Sequence, residues 1–227
     1  MNPAEAPVTC ALLPALNEAR HLPEVLRGVA PHVAGILVVD DGSGDGTGDL
    51  ARAAGAEVIR HPVPRGKGQS LREGLDWIFA RDFQGALCLD ADGQHAPGEI
   101  PLFLAAAPRH DLLVGNRMAE RKNMPWLRWQ TNRFTSHVLE KLSGARVPDT
   151  QCGFRWIRRE CWKALNIESS NFEFEGEMIV AAGRGGFRVG NVPISTIYGD
   201  EVSKIRPVRD TVRFFRMVRR LHRNRGR

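Results

Sequence analysis

The sequence predicts an α/β fold in which a mainly parallel, Rossmann-like sheet is flanked by helices. Apolar runs of strand length alternate with segments of helical periodicity through the first half of the chain, which is the pattern of repeated βαβ units. Polar clusters follow three of these runs, and ligands of such sheets bind beyond the carboxyl ends of the strands. A basic amphipathic segment follows at the C-terminus. The 227 residues fit one large domain.

Strands are predicted where short apolar runs end at Gly, Pro or acidic residues, and helices where apolar residues recur every three to four positions. Leu71, Leu75 and Ile78, for example, fall on one helical face. Pro207 is well placed in the first turn of a last helix. The predicted strands are 8–13, 35–40, 57–60, 85–90, 111–115, one near 149–156, and 188–194; the predicted helices are 17–30, 47–54, 67–80, 126–142, 172–182 and one from 207 onward.

The net charge of +6 is concentrated near the C-terminus. Residues 204–227 contain ten Lys or Arg and one acid, so this segment carries +9 and the remaining 203 residues sum to −3. A basic tail on a slightly acidic body favours an anionic partner, such as a membrane surface or phosphate groups. Nucleic-acid binding is not expected, because the body has no basic stripe with interleaved aromatic residues. We predict one domain over 1–204 and a basic helix over 205–227.

The cysteines and the apolar runs indicate the compartment. Cys10 and Cys88 lie in strand-like runs, and none of the four cysteines forms a CxxC pair, so reduced thiols without structural zinc are expected. The sequence contains no run of about 18 apolar residues, and residues 1–10 lack the pattern of a signal peptide. The expected location is cytoplasmic, with peripheral attachment to a membrane through the tail.

Asp90-Ala91-Asp92 follows the fourth predicted strand and is the strongest functional motif. Two carboxylates separated by one residue can face a single hard cation, and Mg²⁺ or Mn²⁺ keeps coordination positions open for phosphate oxygens. Gln94 offers an amide oxygen nearby. A departing nucleoside diphosphate needs such a cation, because negative charge grows on it. Asp-rich turns also occur for conformational reasons alone, but the position at a strand end favours a metal site.

A glycine-rich turn, DDGSGDGT, follows the second predicted strand over residues 40–47. Its carboxylates can accept hydrogen bonds from a nucleobase or from ribose hydroxyls, and the following helix N-terminus favours an anion. The alternative is a turn that only caps that helix through Asp45 or Thr47. An EF-hand loop starting at Asp41 is excluded, because its twelfth position is Arg52 rather than Glu. The glycines also miss the GxGxxG pattern.

The other candidates carry weaker signals. Asn17 and Glu18 follow the first strand, where they either contact a ligand or form an N-cap and a first-turn acid. Lys67 opens the third helix without the GxxxxGK of a Walker loop, so it is either a phosphate contact or a solvated lysine. Arg117 follows the fifth strand and is a candidate for bidentate phosphate binding. Further candidates of this kind are Arg133 and Arg155.

The C-terminal segment has the pattern of a basic amphipathic helix. Such a helix lies on an anionic membrane, or it docks its apolar stripe on the domain and leaves its arginines in solvent. The sequence does not decide between the two. The predicted stripe consists of Val208, Val212, Phe215 and Val218, widened by Phe214 and Leu221.

These motifs, in this order and spacing, resemble family 2 glycosyltransferases of the GT-A fold over roughly residues 8–204. Within that family the sequence most resembles the dolichyl-phosphate mannose synthase and polyprenyl-phosphate glycosyltransferase branch. Leu16 stands where this branch often has Tyr, and Gln151-Cys152 stands where Ser-Gly neighbours are more usual. The resemblance rests on PALNE at 14–18, VDDGSGD at 39–45, RGKG at 65–68, DADGQH at 90–95, GNR at 115–117, DTQCGFR at 149–155, FEFEGE at 172–177 and Ser203-Lys204.

The resemblance implies an inverting, metal-dependent transfer of a sugar from a GDP- or UDP-linked donor to an acceptor, with a polyprenyl or dolichyl phosphate as the expected acceptor. It implies that Asp90, Asp92 and Gln94 bind the metal, and that Arg117, Arg133 and Lys204 contact sugar, diphosphate or acceptor phosphate. The nucleoside is expected at Pro14, Leu16, Glu18, Val39 and Asp41, with Asn17, Asp40, Ser43, Lys67 and Ala91 as further donor candidates and Gln151, Arg155 and Glu175 on the acceptor side.

The acceptor determines whether a general base is needed. A lipid phosphate is already anionic and needs none, whereas a hydroxyl acceptor must lose a proton to a carboxylate, for which Asp149, Glu175 and Glu177 are candidates. A nucleotidyltransferase acting on a sugar phosphate is a further alternative, since it also binds nucleotide and metal on an α/β sheet. It would release pyrophosphate rather than a nucleoside diphosphate.

Overall fold

The computed structural model describes residues 6–118, 126–195 and 207–223. Within these ranges one mixed sheet contains seven strands: Thr9–Ala15 (β1), Gly35–Asp40 (β2), Glu57–Arg60 (β3), Gly85–Cys88 (β4), Leu112–Asn116 (β5), Arg155–Arg158 (β6) and Val189–Pro193 (β7). Their order across the sheet is β3-β2-β1-β4-β6-β5-β7. The strand β6 is antiparallel to both of its neighbours, and all other pairs are parallel. The predicted mainly parallel sheet is therefore confirmed.

Eight helices lie within the described ranges: Leu22–Val29 (α1), Thr47–Ala53 (α2), Lys67–Phe79 (α3), Ile100–Ala106 (α4), Trp126–Ser143 (α5), Arg159–Ala164 (α6), Glu173–Arg184 (α7) and Pro207–Arg223 (α8). The predicted start of the first helix at Asn17 is wrong, because Asn17 has a left-handed φ of 55° and α1 begins five residues later. The short helices α4 and α6 were not predicted. With seven and six residues, they show too few turns for a clear periodicity.

The central strands are apolar throughout because both faces of the sheet are covered. Leu12, Leu37 and Leu87, on three adjacent strands, have no exposed surface. Trp156 on β6 is equally buried, and its indole nitrogen donates to the Thr9 hydroxyl on β1 at 3.1 Å. A Cβ at Gly85 would lie 2.5 Å from that indole nitrogen, so the start of β4 requires glycine.

The sheet topology brings the three polar clusters to one edge. Strand β1 pairs in parallel with β2 on one side and with β4 on the other. The segments that follow these strands therefore emerge side by side, at the carboxyl ends where ligands of α/β sheets bind. The clusters beginning at Pro14, Asp40 and Asp90 thus form a single region.

The C-terminal helix α8 docks on the domain with part of its apolar surface. Met217 and Leu221 are buried against Leu139 and Leu142 of α5 and Val180 of α7, and Phe214 and Val218 pack beside them. The remaining apolar side chains described on this helix, Val212 and Phe215, are 44% and 52% exposed. Within the described residues, no helix combines the length and apolar composition needed to cross a bilayer. The described part of the predicted stripe is therefore divided between a docked face and an exposed face; the side chain of Val208 lies outside the described residues.

The approach of α7 to α5 yields a stability prediction. A Cβ at Gly183 would lie 2.5 Å from the backbone oxygen of Ser143, so Gly183→Ala must push the two helices apart. We expect a loss of about 1–3 kcal/mol of unfolding free energy from overpacking, which exceeds the gain of about 1 kcal/mol from better helix propensity. Urea unfolding measures the change. The control is Gly98→Ala, where a Cβ meets nothing within 4 Å; equal stability of the two variants would contradict the prediction.

Candidate active site

Asp90 is held by two basic side chains just beyond the end of β4. Its Oδ1 lies 2.6 Å from Lys67 Nζ, and its Oδ2 lies 3.5 Å from His95 Nε2. Burial raises the pKa of Asp90, but the charge of Lys67 and the hydrogen bond and charge of His95 outweigh it, and the net pKa is well below the ordinary value. Asp90 is therefore ionised and fixed in direction.

Asp92 is in the opposite electrostatic situation. Burial, and then the negative charge of Asp90, raise the pKa of Asp92, although its Oδ1 accepts the backbone N–H of Gln94 at 3.0 Å. A divalent cation would offset both effects. In the part of the chain that the structure describes, no three His, Cys, Asp or Glu side chains converge as a metal cage. The oxygen donors of Asp92 and Gln94 are of the type that Mg²⁺ prefers, and Mg²⁺ usually takes one or two carboxylates together with substrate phosphates and water.

Lys67 belongs to this cluster. Its ammonium lies between Asp90 and Glu175, at 2.6 and 3.4 Å. Burial lowers the pKa of Lys67, but the two carboxylates more than compensate, so the pKa is above the ordinary value and the side chain stays charged. A Cβ at Gly153 would lie 2.6 Å from Asp90 Oδ2 and 3.1 Å from Lys67 Nζ, so the backbone itself closes over the pair. The interpretation of Lys67 as a solvated lysine is excluded.

The ends of β1 and β2 are interlocked by side chains that bond to backbone. Ser43 Oγ accepts the N–H of Asn17 at 2.9 Å, and Asn17 Oδ1 accepts the N–H of Gly44 at 3.0 Å. Thr47 Oγ1 accepts the N–H of Glu18 at 2.9 Å. The N-cap of α2 is Gly46, in the left-handed region that glycine adopts without strain. Asn17, Ser43 and Thr47 therefore shape the turn that a ligand would meet.

Asp40 and Asp41 have different environments. Asp40 has no exposed surface, accepts the N–H of Ser43 at 2.8 Å and lies 3.4 Å from Arg60 Nε, so it holds the turn from within. Asp41 accepts the N–H groups of Arg65 and Gly66 at 2.7 and 2.8 Å, and thereby ties β2 to the segment before α3. A cavity of about 350 Å³ opens beside it, lined by Gly42, Ser43, Arg60, His61 and Pro62.

Arg117 and Asp149 form a buried, bidentate ion pair. The guanidinium donates from Nε and Nη2 to the two carboxylate oxygens at 2.7 and 3.0 Å, and Asn132 donates to the same carboxylate at 2.7 Å. Burial raises the pKa of Asp149, but the hydrogen bond and the charge of Arg117 lower it by more than burial raises it. The net pKa of Asp149 is therefore below the ordinary value. A carboxylate in this state is a poor general base. Asn132 was not predicted, since no local pattern marks it.

The remaining predicted acceptor residues do not converge. Arg155 is buried, and its guanidinium donates to the backbone oxygens of Thr150, Cys152 and Glu175. These contacts give Arg155 a structural role. Arg133 is exposed, with its guanidinium 5.2 Å from the ring centre of Trp129. The amide of Gln151 donates to Thr135 Oγ1 at 3.2 Å. Lys204 lies outside the described residues.

Four predicted donor residues lie at the same strand ends. Pro14 and Leu16 are partly buried at the end of β1, and Val39 and Ala91 are buried at the ends of β2 and β4. They border the clusters described above. Their assignment to the donor remains a prediction.

Comparison with known proteins gives the class of protein that has this fold and site. The family model for glycosyl transferase family 2 matches residues 10–165. The chain is 32% identical to polyprenol monophosphomannose synthase of Mycolicibacterium smegmatis over 203 residues, covering 82% of this chain and 76% of the relative. It is 31% identical to undecaprenyl-phosphate mannosyltransferase of Micrococcus luteus over 202 residues, covering 82% of each.

Among solved structures, glucosyl-3-phosphoglycerate synthase of Mycobacterium tuberculosis, in complex with Mn²⁺, UDP-glucose and phosphoglyceric acid, superposes with a TM-score of 0.72 at 20% identity, over 96% of this chain and 79% of that one. The fold is thus of the GT-A type, and the protein is a glycosyltransferase. It belongs to glycosyl transferase family 2.

The Arg117–Asp149 pair yields a stability prediction with a pH dependence. Asp149→Asn leaves a buried guanidinium without its counter-charge, so we expect a loss of about 3–5 kcal/mol of unfolding free energy at neutral pH. Because the native pKa of Asp149 is lowered, this difference is complete above the unfolded carboxyl pKa of about 4 and is lost as pH falls through the native value.

Urea unfolding at several pH values measures this difference. The matched control is Asp49→Asn, whose pair with Arg52 is exposed and worth little. A pH-independent loss, or equal losses in the two variants, would contradict the assignment.

Proposed function

We propose that the protein transfers a sugar from a nucleotide-sugar to a polyprenyl phosphate, with inversion at the anomeric carbon and with a divalent metal at Asp92. The observation that carries this proposal is the convergence of Asp90, Asp92 and Lys67 at the carboxyl edge of β1, β2 and β4. The names of the two bacterial relatives support a polyprenyl phosphate as the acceptor class.

The donor is proposed to bind along this edge. Asp92 and the amide oxygen of Gln94 would hold Mg²⁺ or Mn²⁺, and the bound ion would stabilise the charge that grows on the departing nucleoside diphosphate. Asp90 already pairs with Lys67, so we assign it to donor hydroxyls or to the outer shell of the metal. Lys67 is charged and lies beside Asp90. Its ammonium group would therefore be close to the diphosphate as negative charge develops there.

The nucleoside is proposed to lie against the glycine-rich turn over residues 40–47, which contains Asp41. Asp41 Oδ2 accepts one backbone N–H, from Gly66, and retains acceptor capacity for one more donor. The Watson–Crick edges of uracil and guanine present a ring N–H there, whereas those of cytosine and adenine present a ring nitrogen acceptor. We therefore expect UDP or GDP to be preferred over CDP or ADP.

The candidate general bases favour an acceptor that already carries charge. Asp149 is paired with Arg117, and Glu175 lies beside Lys67 and Arg155. Glu177 pairs with Arg220 at 2.5 Å. All three carboxylates are buried, with 7% exposed surface or less. A lipid phosphate needs no proton acceptor, so this geometry supports it over a hydroxyl acceptor, with Arg117 as a proposed contact for its phosphate.

The donor site is tested by isothermal titration of UDP, GDP, CDP and ADP in Mn²⁺ and then in EDTA. We expect binding of UDP or GDP that requires the metal and that is lost in Asp92→Ala. Asp82→Ala, an exposed acid near the start of β4, should bind like the wild type. Nucleotide binding of equal affinity in Mn²⁺ and in EDTA would overturn the proposed metal site. Release of pyrophosphate from a nucleoside triphosphate during turnover would favour a nucleotidyltransferase instead.

The exposed face of α8 is proposed to hold the enzyme at an anionic membrane, where a polyprenyl phosphate resides. Phe215 and Val212 are exposed on the side away from the docked residues, and Arg216, Arg219 and Arg223 are exposed beside them. Apolar side chains flanked by arginines fit the boundary of an anionic bilayer. Docking on the domain and contact with a membrane are thus compatible, because they use different faces.

Sedimentation with vesicles tests this contact. We expect binding to vesicles that contain phosphatidylglycerol, weaker binding at high salt, and no binding to purely zwitterionic vesicles. Phe215→Ser should reduce the bound fraction without loss of stability, since Phe215 is not part of the docked face. Val63→Ser removes an equally exposed apolar side chain in the segment between β3 and α3 and should have no effect. Equal binding by both variants would contradict the proposal.

A further inference from the structure

A buried histidine bridges two carboxylates beside the cavity. His61 directly follows β3 and is 3% exposed. Its Nδ1 lies 2.6 Å from Asp41 Oδ1, and its Nε2 lies 2.7 Å from Glu73 Oε2 on α3. A lone histidine carries no recognisable sequence signal, and neither His61 nor Glu73 was among the predicted site residues.

The two contacts determine how many protons the ring carries. Ionised carboxylates only accept hydrogen bonds, so each ring nitrogen must donate one, and His61 is an imidazolium. A neutral ring would direct a nitrogen lone pair at one of the two carboxylates at short range. The arrangement is therefore an acid–imidazolium–acid bridge between the end of β2 and the middle of α3.

The other charged groups around His61 are consistent with this bridge. Arg65, before α3, lies 2.5 Å from Glu73 Oε1, and Arg60 on β3 pairs with Asp40 rather than with the ring's partners. Burial raises the pKa of Glu73, but hydrogen bonds from Gln69 and His61 and the charges of His61 and Arg65 bring it below the ordinary value. Glu73 is thus ionised and able to accept from Nε2.

His61 also determines the direction of Asp41. Oδ1 of Asp41 is shared between the ring and the N–H of Arg65, and Oδ2 accepts the N–H of Gly66. The contact with the ring is the strongest of these, because it is the charge-assisted one. His61 therefore holds the carboxylate in one direction beside the cavity that the ring lines together with Gly42 and Ser43.

We propose that His61 is a positioning residue for nucleoside recognition, which holds the Asp41 carboxylate in one direction by bridging Asp41 and Glu73. The inference rests on the proposed function for the identity of the ligand.

The protonation of the ring is tested first, and without any ligand. Nitrogen-15 NMR of the histidine side chains, with His61→Gln used to assign the signal, distinguishes an imidazolium from either neutral tautomer. We expect both nitrogens of His61 to be protonated, because each lies within hydrogen-bond distance of a carboxylate oxygen. A neutral ring would overturn the proposal whether or not a nucleotide binds.

The positioning role is tested by titration of the metal-bound nucleoside diphosphates into the wild type and the variants. His61→Gln should bind UDP or GDP roughly tenfold more weakly, as expected for one lost charge-assisted hydrogen bond. It should also discriminate less between these nucleotides and CDP or ADP, because the Asp41 carboxylate is no longer held in one direction. Glu73→Gln retains the ring and its contact with Asp41, so it should lose less affinity than His61→Gln.

The controls separate this inference from the proposed function. His32→Gln changes a histidine in the helical turn after α1 and should match the wild type in affinity and in base preference. Thermal melts establish that each variant is folded, and Glu73→Gln carries the test if His61→Gln is not. A folded His61→Gln with wild-type affinity and base preference would overturn the positioning role. Failure of the wild type to bind any diphosphate would overturn the proposed function and the nucleoside role together, while the ring spectra would still decide the imidazolium.

Discussion

The ion pair between Lys67 and Asp90 joins the two parts of the donor edge. It connects the first residue of α3 to the segment after β4 at 2.6 Å, in a partly buried position. Similar pairing occurs around it. Parallel strands β1, β2 and β4 direct several carboxylates to one edge, and each buried carboxylate there needs donors. The structure supplies them from Lys67, His61, Arg60 and backbone N–H groups.

A loop between α6 and α7 links this edge to the C-terminal helix. Ser169 and Glu168 donate their N–H groups to Glu177, which pairs with Arg220 of α8. The backbone oxygen of Ser170 accepts the N–H of Gln69 at 3.0 Å in the first turn of α3. A Cβ at Gly68 would lie 2.5 Å from Ser170 backbone, so glycine is required there. The docking of α8 and the first turn of α3, which contains Lys67, therefore both depend on the same few residues of this loop.

The need to pair buried charges and donors also explains why some predicted site residues have structural contacts rather than contacts with a ligand. Arg155 was predicted as a phosphate contact, but its three donating nitrogens are all occupied by backbone oxygens. Asp149 was a candidate base, but the buried guanidinium of Arg117 keeps its pKa low. A residue type and its position near a strand end do not reveal such partners, because some of them are distant in sequence: Glu175 is 20 residues from Arg155, and Arg117 is 32 residues from Asp149. Sequence patterns identify the region of a site more reliably than the role of each side chain in it.

The sequence by itself determined the strand and helix alternation, the mainly parallel sheet, the pair of carboxylates Asp90 and Asp92 after a strand and the basic amphipathic pattern of the C-terminal segment, because all of these are local patterns of hydrophobicity and charge. It did not determine the start of α1, where the left-handed Asn17 is held by the turn after β2, since that constraint comes from Ser43 and Gly44. Only the tertiary structure decided which face of α8 docks and that His61 lies between Asp41 and Glu73. The physical reason is that burial and hydrogen bonding depend on neighbours that the chain brings together only when it folds.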